Sequence, residues 1–254
     1  MNGLQNQFEF TVEPSDPKAL GGQVVSNCSR ETSHPPDHQN RLRERFLANN
    51  GVGLVDRDLL EMLLALTDTP RDAKPVANRL LQRFGDLNRV LAAQPATLGA
   101  VKGVNRDQAC LLKLVEVIAH RMAQTRILRR DVISSWDALL TYCRTAMAHR
   151  TTEQFRILFL DNKNCLIADE ILGNGTVDHV PVYPREVLRR ALDLNASALI
   201  LVHNHPSGDP SPSSTDKNMT KQICHAAEAL GLRVHDHLVI GIESEFSFRS
   251  AGLI

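Results

Sequence analysis

The stretch from His203 to Asp216, HNHPSGDPSPSSTD, constrains this chain more than any other feature. The apolar run leading into it, SALILVHNHP, predicts a buried β-strand that ends at the first histidine. Alternate residues of a strand share a face. His203 and His205 therefore aim together at one point, while Asn204 faces away. Pro206 and the Ser-Gly-Asp-Pro-Ser-Pro run break the strand and force a loop. Asp216 follows at the start of a helical segment, STDKNMTKQICHAAEAL, and the loop can bring it back to the histidine pair. Two neutral imidazoles, one carboxylate and one open position suit a single catalytic zinc ion. Asp216 also has a purely structural reading. Ser213 is a good N-cap, and Ser-Ser-Thr-Asp fits a capping box with the acid at the third helical position.

The rest of the chain sets the frame for that motif. Hydrophobic residues make up 43% of 254, ordinary for a globular protein of one large or two modest domains. No apolar run approaches the roughly 18 residues a membrane span needs. The N-terminus lacks the basic and apolar regions of a signal peptide. The five cysteines, at 28, 110, 143, 165 and 224, have no paired spacing, so reduced thiols and a cytoplasmic location are expected. Net charge is zero but uneven: residues 1–40, 41–130 and 131–254 carry about −3, +7 and −4. Any attraction to a polyanion belongs to the middle segment.

Residues 1–40, rich in Pro, Ser, Asn, Gln and Gly, show no clean period and read as a disordered or loosely held tail. Residues 41–125 read as a helical domain, with Asp72 as a cap and Gly85 as a stop for one helix. Residues 126–134 form a charged linker, and 135–254 a second domain that carries the metal motif. That domain opens with the amphipathic helix SWDALLTYCRTAMAHR. A hairpin follows, EQFRILFLD and CLIADEIL joined by the turn Asn162-Lys163-Asn164. Gly173 and Gly175 break the next stretch, PREVLRRALDLN reads as a helix, and RVHDHLVIG and EFSFRS as final strands. Strands and helices mix without strict alternation, which predicts an α+β class with a mixed central sheet flanked by helices.

H-x-H-P followed by P-S-x-x-D resembles the metal-binding signature of the JAMM/MPN metalloprotease-like family. The wider string VHNHPSGDPSPSSTD, with VPVYPREVLRRAL upstream and DHLVIG downstream, is similar to the RadC branch of that family. The resemblance is close over roughly residues 130 to 254 and looser over 41 to 125. It implies a JAMM/MPN, cytidine-deaminase-like domain preceded by a small all-α domain. It also implies His203, His205 and Asp216 as ligands of one zinc ion, and Ser213 as a support for the developing oxyanion. A glutamate general base is implied as well: Glu153, at the start of the strand after the domain's first helix, with Glu170 as the competing candidate.

The segment ATLGAVKGVNRDQACLLKLVEVIAHRM resembles the helix-hairpin-helix of non-specific DNA binders, with its turn at Lys102-Gly103-Val104-Asn105. There, backbone N–H groups at the next helix's N-terminus hold a phosphate. This implies a DNA contact through Lys102, Gly103, Asn105 and Arg106. The motif's second glycine is Asn105 here, a residue that tolerates the left-handed conformation better than most. The resulting expectation is a zinc-dependent hydrolase, a metallopeptidase that cleaves an amide or isopeptide bond in a protein or peptide substrate. The alternative is a DNA-associated accessory factor in repair or recombination with a structural or vestigial metal site. A nuclease ranks last, because a two-metal site needs more carboxylates than this motif supplies. Asp236 and His237, on a late strand, read as core residues or as groups behind the ligands.

Overall fold

A computed structural model describes residues 35–67, 72–128, 131–174 and 182–254. The stretch 1–34, Gly175, Arg129 and Arg130 lie outside the described residues. Among the described residues six helices come first: α1 (Pro35–Asn49), α2 (Asp56–Leu64), α3 (Ala73–Phe84), α4 (Leu87–Ala92), α5 (Pro95–Gly99) and α6 (Arg106–Thr125). Residues 35–40 belong to the first turns of α1. Leu60, Leu64, Val76, Leu80, Val90, Leu98 and Leu112 meet at the centre of these helices, all fully buried. Gly85 ends α3 with φ of 98°, a left-handed conformation that needs no Cβ to be accommodated. Asp72 stands at the N-cap position of α3 but makes no capping hydrogen bond, contrary to the sequence expectation, because its backbone is already helical (φ −96°, ψ −2°). An N-cap side chain reaches the helix's free N–H groups from an extended backbone.

The second half runs α7 (Trp136–Met147), β1 (Gln154–Leu160), β2 (Leu166–Asn174), α8 (Pro184–Asp193), β3 (Ala198–Asn204), α9 (Ser214–Ala229), β4 (Arg233–Ile240) and β5 (Glu245–Ser247). The strands form one sheet in the order β2-β1-β3-β4-β5. Only β3 and β4 are parallel, and α9 is the crossover between them. The class is therefore α+β with a mixed open sheet flanked by helices. At the β1–β2 turn, Asp161 accepts hydrogen bonds from the N–H groups of Lys163 and Cys165, and Asn164 takes φ of 57°. Gly173 lies inside β2, opposite Phe155 at a register shift, instead of ending the strand.

Every residue of β3 is buried, and its side chains alternate between two cores. Ala198, Ile200 and Val202 join Leu139, Cys143 and Met147 of α7 on one face. Leu199 and Leu201 join Val187 and Ala191 of α8 and Ile223 and Ala227 of α9 on the other. α7 is also tied to the sheet by polar groups: Tyr142 donates to Asp169, and Arg156 Nη1 lies 2.5 Å from the same carboxylate. The helical half meets the sheet half through α6 and α7. Glu116 of α6, nearly buried, pairs with Arg150 at 3.0 Å, and His120 Nε2 donates to the Thr145 carbonyl at 2.8 Å.

A central strand buried on both faces leaves no route for relaxation when a side chain is cut back. Ile200→Ala is expected to lower unfolding free energy by about 2–5 kcal/mol. Ile167→Ala, at a half-exposed position of the edge strand β2, is expected to change it by less than about 1 kcal/mol. Urea titration of the two variants measures the difference.

Candidate metal centre

The alternation along β3 decides which way each residue of His203-Asn204-His205 points. His203 continues the Leu199–Leu201 face, toward α8 and α9. Asn204 turns to the opposite face. His205 lies one residue past the strand, but its N–H still bonds the Ile240 carbonyl of β4 at 3.0 Å, which extends the strand's direction. The two imidazoles converge with Nε2 atoms 3.1 Å apart.

Asp216 comes to the pair from the first turn of α9. Its Oδ1 lies 3.6 Å from His203 Nε2 and its Oδ2 3.7 Å from His205 Nε2. The same carboxylate completes a capping box. Ser213 N–H and Ser213 Oγ both donate to Asp216 Oδ2 at 2.7 Å, and Asp216 N–H donates back to Ser213 Oγ at 3.1 Å. The cap and the approach to the histidines are thus one arrangement, since the cap fixes the rotamer that faces them. Glu153, buried just before β1, brings Oε1 to 3.6 Å from His205 Nε2. Glu153, His203 and His205 form a group that could hold a metal ion, with one ligand atom from each all within 4.8 Å of one another. Glu170 stands elsewhere: both its oxygens grip Arg190 of α8, at 2.7 and 2.5 Å, which holds its carboxyl below the usual range.

Asn204 explains how Glu153 is held. Fully buried on the far face of β3, its Oδ1 accepts from Gln154 N–H at 2.9 Å and its amide donates to the Thr152 carbonyl at 3.2 Å. These bonds clamp the backbone on both sides of Glu153. The strand alternation in the sequence shows only that Asn204 faces away.

The loop between His205 and Ser213 is pinned to the β4–β5 turn. Gly208 has φ of 90° and its N–H bonds the His205 carbonyl. Gly241 is required opposite it, because a Cβ there would lie 2.3 Å from the Gly208 carbonyl oxygen. Asp209 closes the loop inward: its carbonyl lies 2.8 Å from His205 Nδ1. A carbonyl only accepts, so His205 carries a hydrogen on Nδ1 and turns its Nε2 toward the cluster. Burial favours the neutral acid at Asp216, but the two imidazoles facing it and the hydrogen bonds from Ser213 outweigh that and hold the carboxyl well below the usual range. Asp216 in turn raises His205 above the ordinary histidine value, against the effect of burial. Behind His203 stands His237 of β4, fully buried, with Nε2 2.8 Å from His203 Nδ1.

The other predicted contact site lies in the helical half. Gly103 takes φ of 90°, with Arg79 Nε donating to the Lys102 carbonyl. Asn105 is extended at φ −93° and serves as the N-cap of α6, so its tolerance of the left-handed conformation is not called on. Its side chain accepts from Gln108 N–H at 2.8 Å, and Gln108 Oε1 accepts from Asn105 N–H at 3.1 Å. Lys102 and Arg106 flank this turn.

Residues 133–253 match the family model described as the RadC-like JAB domain. A UPF0758 protein of Ruegeria pomeroyi is 59% identical over 222 residues, covering 87% of this chain and 99% of its own. A UPF0758 protein of Rhodobacter capsulatus is 62% identical over 213 residues, covering 84% of this chain and all of its own. With the RadC-like JAB domain matched over residues 133–253 and relatives about 60% identical over most of its length, the chain belongs to the RadC family.

Proposed function

We infer that the protein is a zinc-dependent hydrolase of the JAMM/MPN type that cleaves an amide or isopeptide bond in a protein or peptide. One observation carries this reading: two imidazole nitrogens, one on a ring anchored through its Nδ1–H, face each other at 3.1 Å beside a carboxylate. Two lone pairs so close repel unless a cation or a proton lies between them. Zinc bound at 2.0–2.1 Å in a tetrahedron sets its ligand atoms about 3.3 Å apart. Distances of 3.1, 3.6 and 3.7 Å among His203, His205 and Asp216 bracket that edge, so the donors fit the ion in number, type and spacing. When bound there, zinc would polarise a carbonyl and make water a nucleophile near neutral pH.

The chain's own groups supply the rest. Glu153, buried and within reach of the cluster, takes the proton of the attacking water and delivers it to the leaving nitrogen. Ser213 turns its hydroxyl from Asp216 to the developing oxyanion, while its N–H keeps that carboxylate oriented. The hydrolase reading stands ahead of the DNA-associated one because the capping box at Asn105 already uses N–H groups that a phosphate would need.

Purified protein is expected to hold one equivalent of zinc by mass spectrometry, lost in His203→Ala and Asp216→Ala without loss of cooperative melting. No zinc in the wild type after metal is supplied would sink the hydrolase reading. Glu153→Gln is expected to keep the zinc and lower turnover of a fluorogenic peptide or isopeptide about 10²–10⁴-fold; loss of the zinc instead would make Glu153 a ligand.

The pH behaviour has a definite sign. In metal-free protein the raised pKa of His205 stabilises the fold fully below about pH 6.5 and ceases to do so as pH rises through the folded value. The depressed Asp216 contributes above about pH 3.9 and its contribution fades as pH falls. Zinc requires the neutral His205, so binding releases a proton below that raised pKa. Affinity is expected to weaken by up to about tenfold per pH unit there, as read by competition with a chelator across pH 5–8.

A further inference from the structure

We propose that His237 and Thr220 form a positioning pair that dictates which nitrogen His203 turns to the metal cluster. The argument follows hydrogens through a buried chain. Thr220 Oγ1 lies 2.6 Å from the Asp216 carbonyl oxygen, which can only accept, so the single hydroxyl hydrogen points there. The same Oγ1 lies 2.6 Å from His237 Nδ1. With the hydroxyl hydrogen already committed, this bond exists only if His237 carries hydrogen on Nδ1. Full burial, with no carboxylate in hydrogen-bond contact among the described residues, disfavours a charged ring, so the His237 Nε2 is bare and accepts. That Nε2 lies 2.8 Å from His203 Nδ1, which must therefore carry a hydrogen. His203 is left with a bare Nε2, the atom 3.1 Å from His205 Nε2.

The direction of each bond is forced by the one before it, and the chain starts at a peptide carbonyl that cannot reverse. The Phe248 ring stacks on His237 at 4.6 Å and the Phe155 ring meets its edge at 5.6 Å, which fixes the plane of the relaying imidazole. His205 reaches the same tautomer by its bond to the Asp209 carbonyl, so the two histidines are set by unrelated parts of the fold. The chain also links two proposed ligands: the Asp216 backbone anchors the hydrogen that orients His203. This inference rests on the metal-site reading for its purpose, but its structural content is the tautomer of one imidazole.

The test uses the full-length protein. Long-range ¹H–¹⁵N spectra of the metal-free, ¹⁵N-histidine-labelled protein report the His203 tautomer, and competition with a chelator gives zinc affinity. Wild type and Thr220→Ser are expected to show His203 with hydrogen on Nδ1 alone and matching affinities. Thr220→Val removes the acceptor from His237 Nδ1 and frees that ring to place its hydrogen on Nε2. His203 is then expected to shift toward hydrogen on its own Nε2, and zinc affinity to fall about 10–100-fold. His237→Phe is expected to act alike; if it fails to fold, the Thr220 pair carries the comparison. An unchanged His203 tautomer in Thr220→Val would overturn the proposal, as would unchanged zinc affinity. If the wild type bound no zinc, the metal-site reading would fall while the tautomer result still decided the positioning claim.

Discussion

The site depends on a commitment made away from it. His205 gives its Nδ1 hydrogen to a backbone carbonyl of its own loop, so the nitrogen facing the cluster is Nε2, bare whenever the ring is neutral. A bare imidazole nitrogen in a half-buried setting needs a partner that accepts its lone pair. Asp216 cannot be that partner as a carboxylate, because it too is an acceptor. Three acceptors aimed at one point leave two solutions, a proton or a cation. The depressed Asp216 and raised His205 describe the proton solution, and the proposed zinc describes the other.

The strand that delivers these groups is the most deeply buried in the sheet, and its burial gives the motif its precision. With Leu199 and Leu201 locked in one core and Ile200 and Val202 in the other, β3 cannot slip by a residue without exchanging both cores. The same alternation sends Asn204 to the side where it grips the backbone around Glu153. Three consecutive residues thus serve three tasks because a strand has two faces and then ends.

Much of this was legible in the sequence. The strand, the loop and α9 follow from an apolar run, a proline-rich break and a Ser-x-x-Asp cap, all local signals. The convergence of His203 and His205 follows from the two-residue period. The β1–β2 hairpin was readable from its Asn-Lys-Asn turn. What could not be read was whatever depends on distant pairing. The sequence leaves His237 between a core residue and a group behind the ligands; it touches His203 because β4 lies parallel to β3, a pairing that no local signal announces. That Glu153 stands beside the histidines while Glu170 stands elsewhere likewise turns on distant residues, since Arg190, twenty residues away, takes up the Glu170 carboxylate. Asp72 and Gly173 went the other way: each carries a common local meaning that the surrounding backbone overrode.

The tight approach of Gly241 to the Gly208 carbonyl has a consequence for ion choice. Backbone packed against backbone at this distance gives the His205–Ser213 loop little room to swell, and β3 holds the other end of the donor set rigid. Were the proposed ion bound, the cluster would act as a gauge of fixed aperture. Calcium, which needs six to eight oxygen donors at 2.3–2.6 Å, would require the loop to lift off Gly241 and would still meet nitrogen where it prefers oxygen. Selection among cations would then be enforced by two glycines that touch no ion themselves.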